Sequence, residues 1–187
     1  MSEDELIILL KEGNEDAFSE LVTAHRDRVY NTVLSIVQHF EDSEDLSQDV
    51  FIRVFRSIGS FEGNAALSTW LYRIAVNTGL DYLRKKKRQK RFGFLTGLFG
   101  NDEERKDVTD FHHPGVSLDR KEHAAILFAA LKKLPENQQA AFTLKKSEGL
   151  SYSEIAAVLG VSEAAVDSLI QRATQNLRKI IDKKILT

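Results

Sequence analysis

Apolar residues recur at gaps of three and four along most of the chain, a spacing that restricts it to amphipathic helices packed on one another. Phe18, Leu21, Val22, His25, Val29, Val33, Ile36 and Val37 form a first stripe. Leu46, Val50, Phe51, Val54, Phe55 and Ile58 form a second, and Leu67, Leu71, Ile74, Ala75, Thr78 and Tyr82 a third. Only two prolines interrupt the 187 residues and strand-like alternation is scarce, so the expected fold class is all-α. The longest apolar run, Ala124 to Leu131, is far shorter than the roughly 20 residues a spanning helix needs, so no membrane insertion is expected. The start, Met1-Ser2-Glu3-Asp4-Glu5, is acidic where an export signal is basic and then apolar, which points to a cytoplasmic protein. With no cysteine, disulfides and thiolate chemistry are excluded.

The periodicity fails between Arg91 and Ser117, where Gly93, Gly97, Gly100, a mixed-charge run from Asn101 to Asp110 and His112-His113-Pro114-Gly115 follow one another. Residues 93–117 therefore read as a flexible linker between two small helical domains, 1–92 and 118–187. In the second, Leu127, Ala130, Leu131 and Leu134 mark a helix ending near Pro135, which suits the first turn of the next. Ser151-Tyr152-Ser153-Glu154 is a capping box, Gly160 a stop, and Ser162 the cap of a last helix with Val166, Leu169, Ile170, Ala173, Leu177, Ile180 and Ile181 inward. Two helices joined by such a glycine turn form a helix-turn-helix.

The net charge of −2 conceals a strong asymmetry. Residues 1–50 carry thirteen acidic side chains against three basic, residues 51–92 ten basic against two acidic, and residues 93–187 thirteen of each. One acidic and one basic surface suit a basic partner on one side and a polyanion on the other. The basic surface ends in Arg84-Lys85-Lys86-Lys87-Arg88-Gln89-Lys90-Arg91, and it follows a stripe of Trp70, Arg73, Asn77, Asp81 and Arg84 opposite the apolar one. Cations that track phosphates beside a ring that stacks a base are what single-stranded nucleic acid requires. In the last helix Asp167, Ser168, Gln171, Arg172 and Gln175 face away from the apolar stripe, with side-chain types suited to base edges in a major groove. Asp42, Glu44, Asp45 and Asp49 lack the further ligands of a metal site, and no nucleophile–base pair or phosphate-cradling loop is visible. No cofactor, metal or enzymatic activity is expected.

Three strings together resemble the extracytoplasmic-function sigma factors of bacterial RNA polymerase. They are Ser43-Glu44-Asp45-Leu46-Ser47-Gln48-Asp49-Val50-Phe51, then Phe61-Glu62-Gly63-Asn64 through Thr69-Trp70-Leu71-Tyr72-Arg73-Ile74-Ala75-Val76-Asn77, and Leu134-Pro135-Glu136 through Gly149-Leu150-Ser151-Tyr152-Ser153-Glu154-Ile155-Ala156. The resemblance implies that residues 1–92 bind core polymerase and the minus-ten promoter element, and that residues 118–187 read the minus-thirty-five element. It implies polymerase docking through Asp45, Gln48, Asp49 and Arg53 on the Asp45 to Phe55 helix. Phe61, Gly63, Asn64, Thr69, Trp70, Arg73 and Asn77 would hold a base flipped from the minus-ten element, and Arg84, Lys85, Lys86, Lys87 and Arg88 the adjacent DNA backbone. Ser162, Asp167, Ser168, Gln171 and Arg172 would read the upstream element. The implied partners are core RNA polymerase, promoter DNA and, as in many members, an anti-sigma factor. Members commonly carry several cations along the recognition helix, whereas Asp167, Leu169, Thr174, Gln175 and Asn176 leave only Arg172, Arg178 and Lys179 here.

Two other readings fit parts of the chain. A stand-alone helix-turn-helix regulator would use the second domain for duplex DNA and the first for sensing, and an acid-dependent nuclease would rest on the carboxylate cluster alone.

Overall fold

The computed structural model describes residues 2–96 and 126–185, and these are helical throughout apart from turns. The elements are α1 (Glu3–Lys11), α2 (Glu15–Val37), α3 (Phe40–Ser57), a single 3₁₀ turn (Ile58–Ser60), α4 (Leu67–Thr96), α5 (126–131), α6 (Glu136–Lys146), α7 (Tyr152–Leu159) and α8 (Glu163–Ile185). Most of the expected linker, 97–117, and residues 118–125 lie outside the described residues. Helix α4 runs to Thr96, past the expected boundary at residue 92.

Helix α1 was not foreseen, although its signal is local: Ser2 accepts from the Glu5 amide while the Glu5 carboxylate accepts from the Ser2 amide. Those bonds hold the Glu5 carboxyl below its ordinary value. Another α1 carboxylate, Glu3, accepts from the Leu67 amide at 3.0 Å and so caps α4 across 64 residues of sequence. Pro135 stands one position before its expected place, as the N-cap of α6, and α5 stops at residue 131, with Leu134 buried in the turn between them.

Helices α1 to α4 enclose one apolar cluster, in which Leu21, Val29, Val33, Val50, Val54, Leu71 and Ala75 are buried. Gly79 lets α2 and α4 approach closely: a Cβ there would meet the Ile36 Cγ2 at 3.2 Å. His25 lies within this stripe, and its Nδ1 is buried with no hydrogen-bond partner among the described residues. Burial, reinforced by Arg28 and opposed by Glu3, holds its imidazole below the ordinary value. The unfolded chain therefore binds the extra proton first, and stability falls as pH drops through the unfolded value near 6.5. Urea titrations from about pH 7 to about pH 5.5 are expected to show His25→Gln losing less stability than the parent protein; equal losses would exclude His25 as the cause.

A second cluster joins the two halves of the chain. Ile36, Tyr72, Val76 and Leu80 from the first half pack with Ala140, Leu144, Leu150, Ile155, Val158, Val166 and Ile170 from the second. Two glutamines cross this boundary in opposite directions. The buried Gln139 Nε2 donates to the Ser35 carbonyl at 2.6 Å and the Ile36 carbonyl at 3.3 Å, two acceptors that the end of α2 leaves without intrahelical partners. The Gln38 Nε2 donates to the Phe128 carbonyl at 2.9 Å. Gln38, at φ 56, is the only non-glycine residue with positive φ among the described residues, a conformation that costs about 1 kcal/mol or more. Helices α5 and α8 form a third cluster around Leu131, Leu134, Ala173 and Leu177.

Candidate polymerase and nucleic-acid interfaces

Turning through 100° per residue, α3 places Ser43, Ser47, Val50, Phe51 and Val54 inward, which leaves Asp45, Gln48, Asp49 and Arg53 together on the exposed side. Phe55, expected in the core, is 51% exposed: it lies at the rim of the inward face and meets Phe18 edge to face, with ring centroids 5.2 Å apart. Ile52, absent from the sequence reading, is 46% exposed amid the polar four. The face is thus acidic with an apolar centre, a combination suited to a protein partner.

On α4, Trp70, Arg73 and Asn77 project from successive turns of one face. Arg73 and Asn77 are exposed. Trp70 is half-buried, its indole held against the Phe61 ring at 5.2 Å and 51°. Phe61 is itself 5% exposed and Thr69 3% in this arrangement. Phe61 buttresses the indole because the 3₁₀ turn directs it inward. Thr69 lies at the wall of a cleft of about 140 Å³ between the halves, with Arg28, Ser68 and Tyr72 on one side and Glu148, Leu150 and Glu154 on the other. Gly63 and Asn64 are exposed in the loop before α4, where the φ of +75 explains the glycine and Asn64 donates to Glu62.

Across the cleft the Tyr72 hydroxyl donates to Glu148 at 3.1 Å. Desolvation, then the Glu148 charge, pushes its phenol up to about 12, so it remains a donor at any physiological pH. Arg28 and Glu148 carried no sequence signal, since their relation exists only once the halves pack.

The basic run continues α4, and its cations go different ways. Lys85 and Arg88 are exposed. Lys86 turns back towards α3, 3.3 Å from the Tyr82 hydroxyl and 3.8 Å from Asp42, while Tyr82 also donates to Asp42. Lys87 lies 2.6 Å from Glu136, at the start of α6, and the Arg84 guanidinium reaches the other oxygen of the same carboxylate at 3.9 Å. Arg84 also pairs with Asp81 at 3.1 Å.

In the second half the expected capping box forms: Ser151 and Glu154 exchange hydrogen bonds, which hold the Glu154 carboxyl below its ordinary value. Gly160 ends α7 in the left-handed region at φ 67, and the Ser162 Oγ accepts from the Ala165 amide at 3.3 Å to begin α8. Helix α8 buries Val166, Ile170, Ala173 and Leu177, so Ser168, Gln171 and Arg172 are exposed. Asp167 is partly covered and accepts from Gln171 at 2.8 Å. This is a helix-turn-helix with a polar recognition face.

Comparison with known proteins assigns these surfaces to a family. Sigma-70 region 2 matches residues 21–89, and Sigma-70, region 4 matches residues 124–177. The chain is 32% identical to an RNA polymerase sigma-H factor of Pseudomonas aeruginosa, over 98% of this chain and 93% of that one. It is 34% identical to an ECF RNA polymerase sigma-E factor of Haemophilus influenzae, over 99% of this chain and 96% of that one. In fold it is similar, with a TM-score of 0.71 and 24% identity, to the sigma factor RpoE of Bartonella quintana, solved with the anti-sigma factor NepR, covering 88% of this chain and 96% of that one. With both promoter-reading regions present in order, and relatives matched along nearly their whole length, the chain belongs to the extracytoplasmic-function sigma factors of bacterial RNA polymerase.

Proposed function

We propose that the three exposed faces divide the work of a sigma factor among them. The family's activity is not enzymatic: its members give core RNA polymerase promoter recognition, and the polymerase does the chemistry. In this chain the α3 face of Asp45, Gln48, Asp49 and Arg53, with Ile52 and Phe55 at its centre and rim, docks on polymerase. Trp70, Arg73 and Asn77, with Gly63 and Asn64 in the adjoining loop, hold the unstacked bases of the minus-ten element. Phe61 and Thr69 support that surface from beneath. Arg84, Lys85, Lys86, Lys87 and Arg88 hold the backbone beside it. Ser162 orders the start of α8, and Asp167, Ser168, Gln171 and Arg172 read the minus-thirty-five element. The domain limits are 1–92 and 118–187, joined through 93–117.

The observation that carries this reading is the Trp70 indole held half-exposed on Phe61, with Arg73 and Asn77 beside it on the same helix face. Few cations flank the recognition helix, so the upstream contact gains useful affinity only when polymerase tethers the second domain near its site. The protein acts in the cytoplasm, and an anti-sigma factor is a further proposed partner, supported by the complex of the Bartonella quintana relative. The test is run-off transcription by core polymerase on promoters mapped after overexpression of this chain: transcripts are expected only when the chain is added. Initiation that proceeds equally without it, or that needs another sigma factor, would overturn the reading.

Docking has its own test. Asp49→Arg reverses a charge on the exposed α3 face, where a substitution usually changes stability by no more than about 0.5 kcal/mol. It is expected to reduce co-purification with core polymerase while leaving the thermal unfolding curve in place. Undiminished co-purification would remove the face from the docking surface.

A further inference from the structure

Helix α4 begins on a residue that cannot cap it. The Ala66 carbonyl accepts from the Trp70 amide at 3.1 Å, the first intrahelical bond, so Ala66 is the N-cap residue. A methyl group offers no acceptor to the amides of the turn that follows, and Ala65 before it offers none either. Helices α1, α2, α7 and α8 begin instead on Ser2, Asn14, Ser151 and Ser162, whose side-chain oxygens accept from their own first turns. For α4 the acceptor comes from another helix: the Glu3 Oε1 takes the Leu67 amide at 3.0 Å and places a negative charge at the positive end of the helix dipole. The base site depends on that first turn. Trp70 makes its first bond and projects from it, packed on Phe61. Phe61 follows directly on the 3₁₀ turn, and α1 packs against that turn too. Helix α1 therefore touches both ends of segment 61–66, whose Gly63, Asn64, Ala65 and Ala66 are exposed. It is a firm reference, since Leu10 is buried in the first cluster and Leu6, Ile7 and Leu9 pack against it. Without a cap the turn would fray, and the indole would spend only part of its time in any one orientation.

We propose that Glu3 is a positioning residue for the base site: by capping α4 from α1 it fixes the first turn of α4, and with it the Trp70 indole on Phe61, in the orientation that stacks an unpaired base. The proposal rests on the assignment of Trp70 to that site. Its sign separates it from simple electrostatics. A carboxylate near the path of DNA repels phosphate, so on charge alone its removal raises affinity. Positioning requires the reverse, because a turn that is ordered for only part of the time binds with its affinity reduced by that fraction.

The full chain is tested with two readouts. Trp70 is the only tryptophan, so acrylamide quenching of the emission without DNA reports on this indole alone. Fluorescence anisotropy with a labelled oligothymidylate of about 20 nucleotides measures base stacking without any promoter sequence. Glu3→Ala is expected to raise the quenching constant and to weaken binding roughly three-fold or more. Glu3→Gln keeps a carbonyl acceptor and is expected to lie nearer the parent protein in both. Asp4→Ala removes an equal charge from the next exposed residue and is expected neither to raise quenching nor to weaken binding. Ala66→Ser supplies a local cap to the amides of Ser68 or Thr69, and in the Glu3→Ala chain it is expected to return both readouts close to the parental values. Binding by Glu3→Ala as tight as that of Asp4→Ala would overturn the proposal. So would a loss that Ala66→Ser does not restore. If Glu3→Ala does not fold, as judged by circular dichroism, amide exchange of the parent protein decides: the Leu67 amide is expected to be protected, and exchange at the rate of an unstructured peptide would overturn the cap. Trp70→Ala separates the proposal from the reading beneath it. Weaker binding by Trp70→Ala but not by Glu3→Ala overturns the positioning role alone, whereas unchanged binding by Trp70→Ala overturns the base site and the positioning role together.

Discussion

Trp70→Ala is expected to weaken binding of a single-stranded minus-ten oligonucleotide by about 1–3 kcal/mol, roughly 5- to 150-fold, while the protein remains helical. The indole is half-buried, packed on Phe61 and against the first apolar cluster, on the helix face that carries Arg73 and Asn77. Removing it deletes the only tryptophan ring of the chain from the proposed base site, so no neighbouring indole can replace the stack. Part of the Phe61 contact is lost too, and the melting temperature should fall, but by less than a fully buried Trp→Ala change of about 3–5 kcal/mol would cause. Phe61→Leu should give a smaller affinity loss, since it leaves the ring present and only loosens its support. Fluorescence anisotropy with the oligonucleotide measures the affinity, and circular dichroism the fold. Unchanged affinity would exclude stacking, and collapse of the helical spectrum would make Trp70 a core residue instead.

Leu144→Ala should destabilise the second half by about 2–5 kcal/mol. Leu144 is fully buried where α6 meets α7, in the cluster that also takes Ile36, Tyr72, Val76 and Leu80 from the first half. A domain of some 60 residues has only about 3–5 kcal/mol from a single core, so the substitution removes most of its margin. The first half keeps its own cluster around Leu21, Val50 and Leu71, which Leu144 does not join. Amide exchange is therefore expected to accelerate in α6 to α8 well before it does in α2 and α3. Equal acceleration in α2 and α6 would mean that the halves unfold as one cooperative unit.

Local chemistry made much of this protein legible from its residues. The stripes of α2, α3 and α4 follow from 3.6 residues per turn, and Gly160 with the Ser151 box sets the helix-turn-helix by backbone conformation and capping. The exposed Arg73, Asn77, Ser168, Gln171 and Arg172 lie where those stripes put them. How far a ring or hydroxyl is covered is of a different kind. Phe55 sits at the edge of its stripe, where only the neighbouring helix decides whether a ring is covered, and its edge-to-face contact with Phe18 leaves it 51% exposed. Thr69 and Phe61 are buried by elements that their own helix turn does not specify.

What the sequence by itself determined is therefore everything that repeats within a turn or two: the helices, their inward faces, their caps and the family motifs carried on them. Tertiary structure alone decided which charges meet. Lys87 and Glu136 are 49 residues apart, Tyr72 and Glu148 76, and Gln139 and Ser35 104. Each of these side chains would read equally well as an ordinary solvated residue of its own helix. Their pairing follows from apolar surfaces of α2, α4, α6 and α7 finding one another, and that attraction is non-directional, so it leaves no periodic mark to show which polar groups it will bring together.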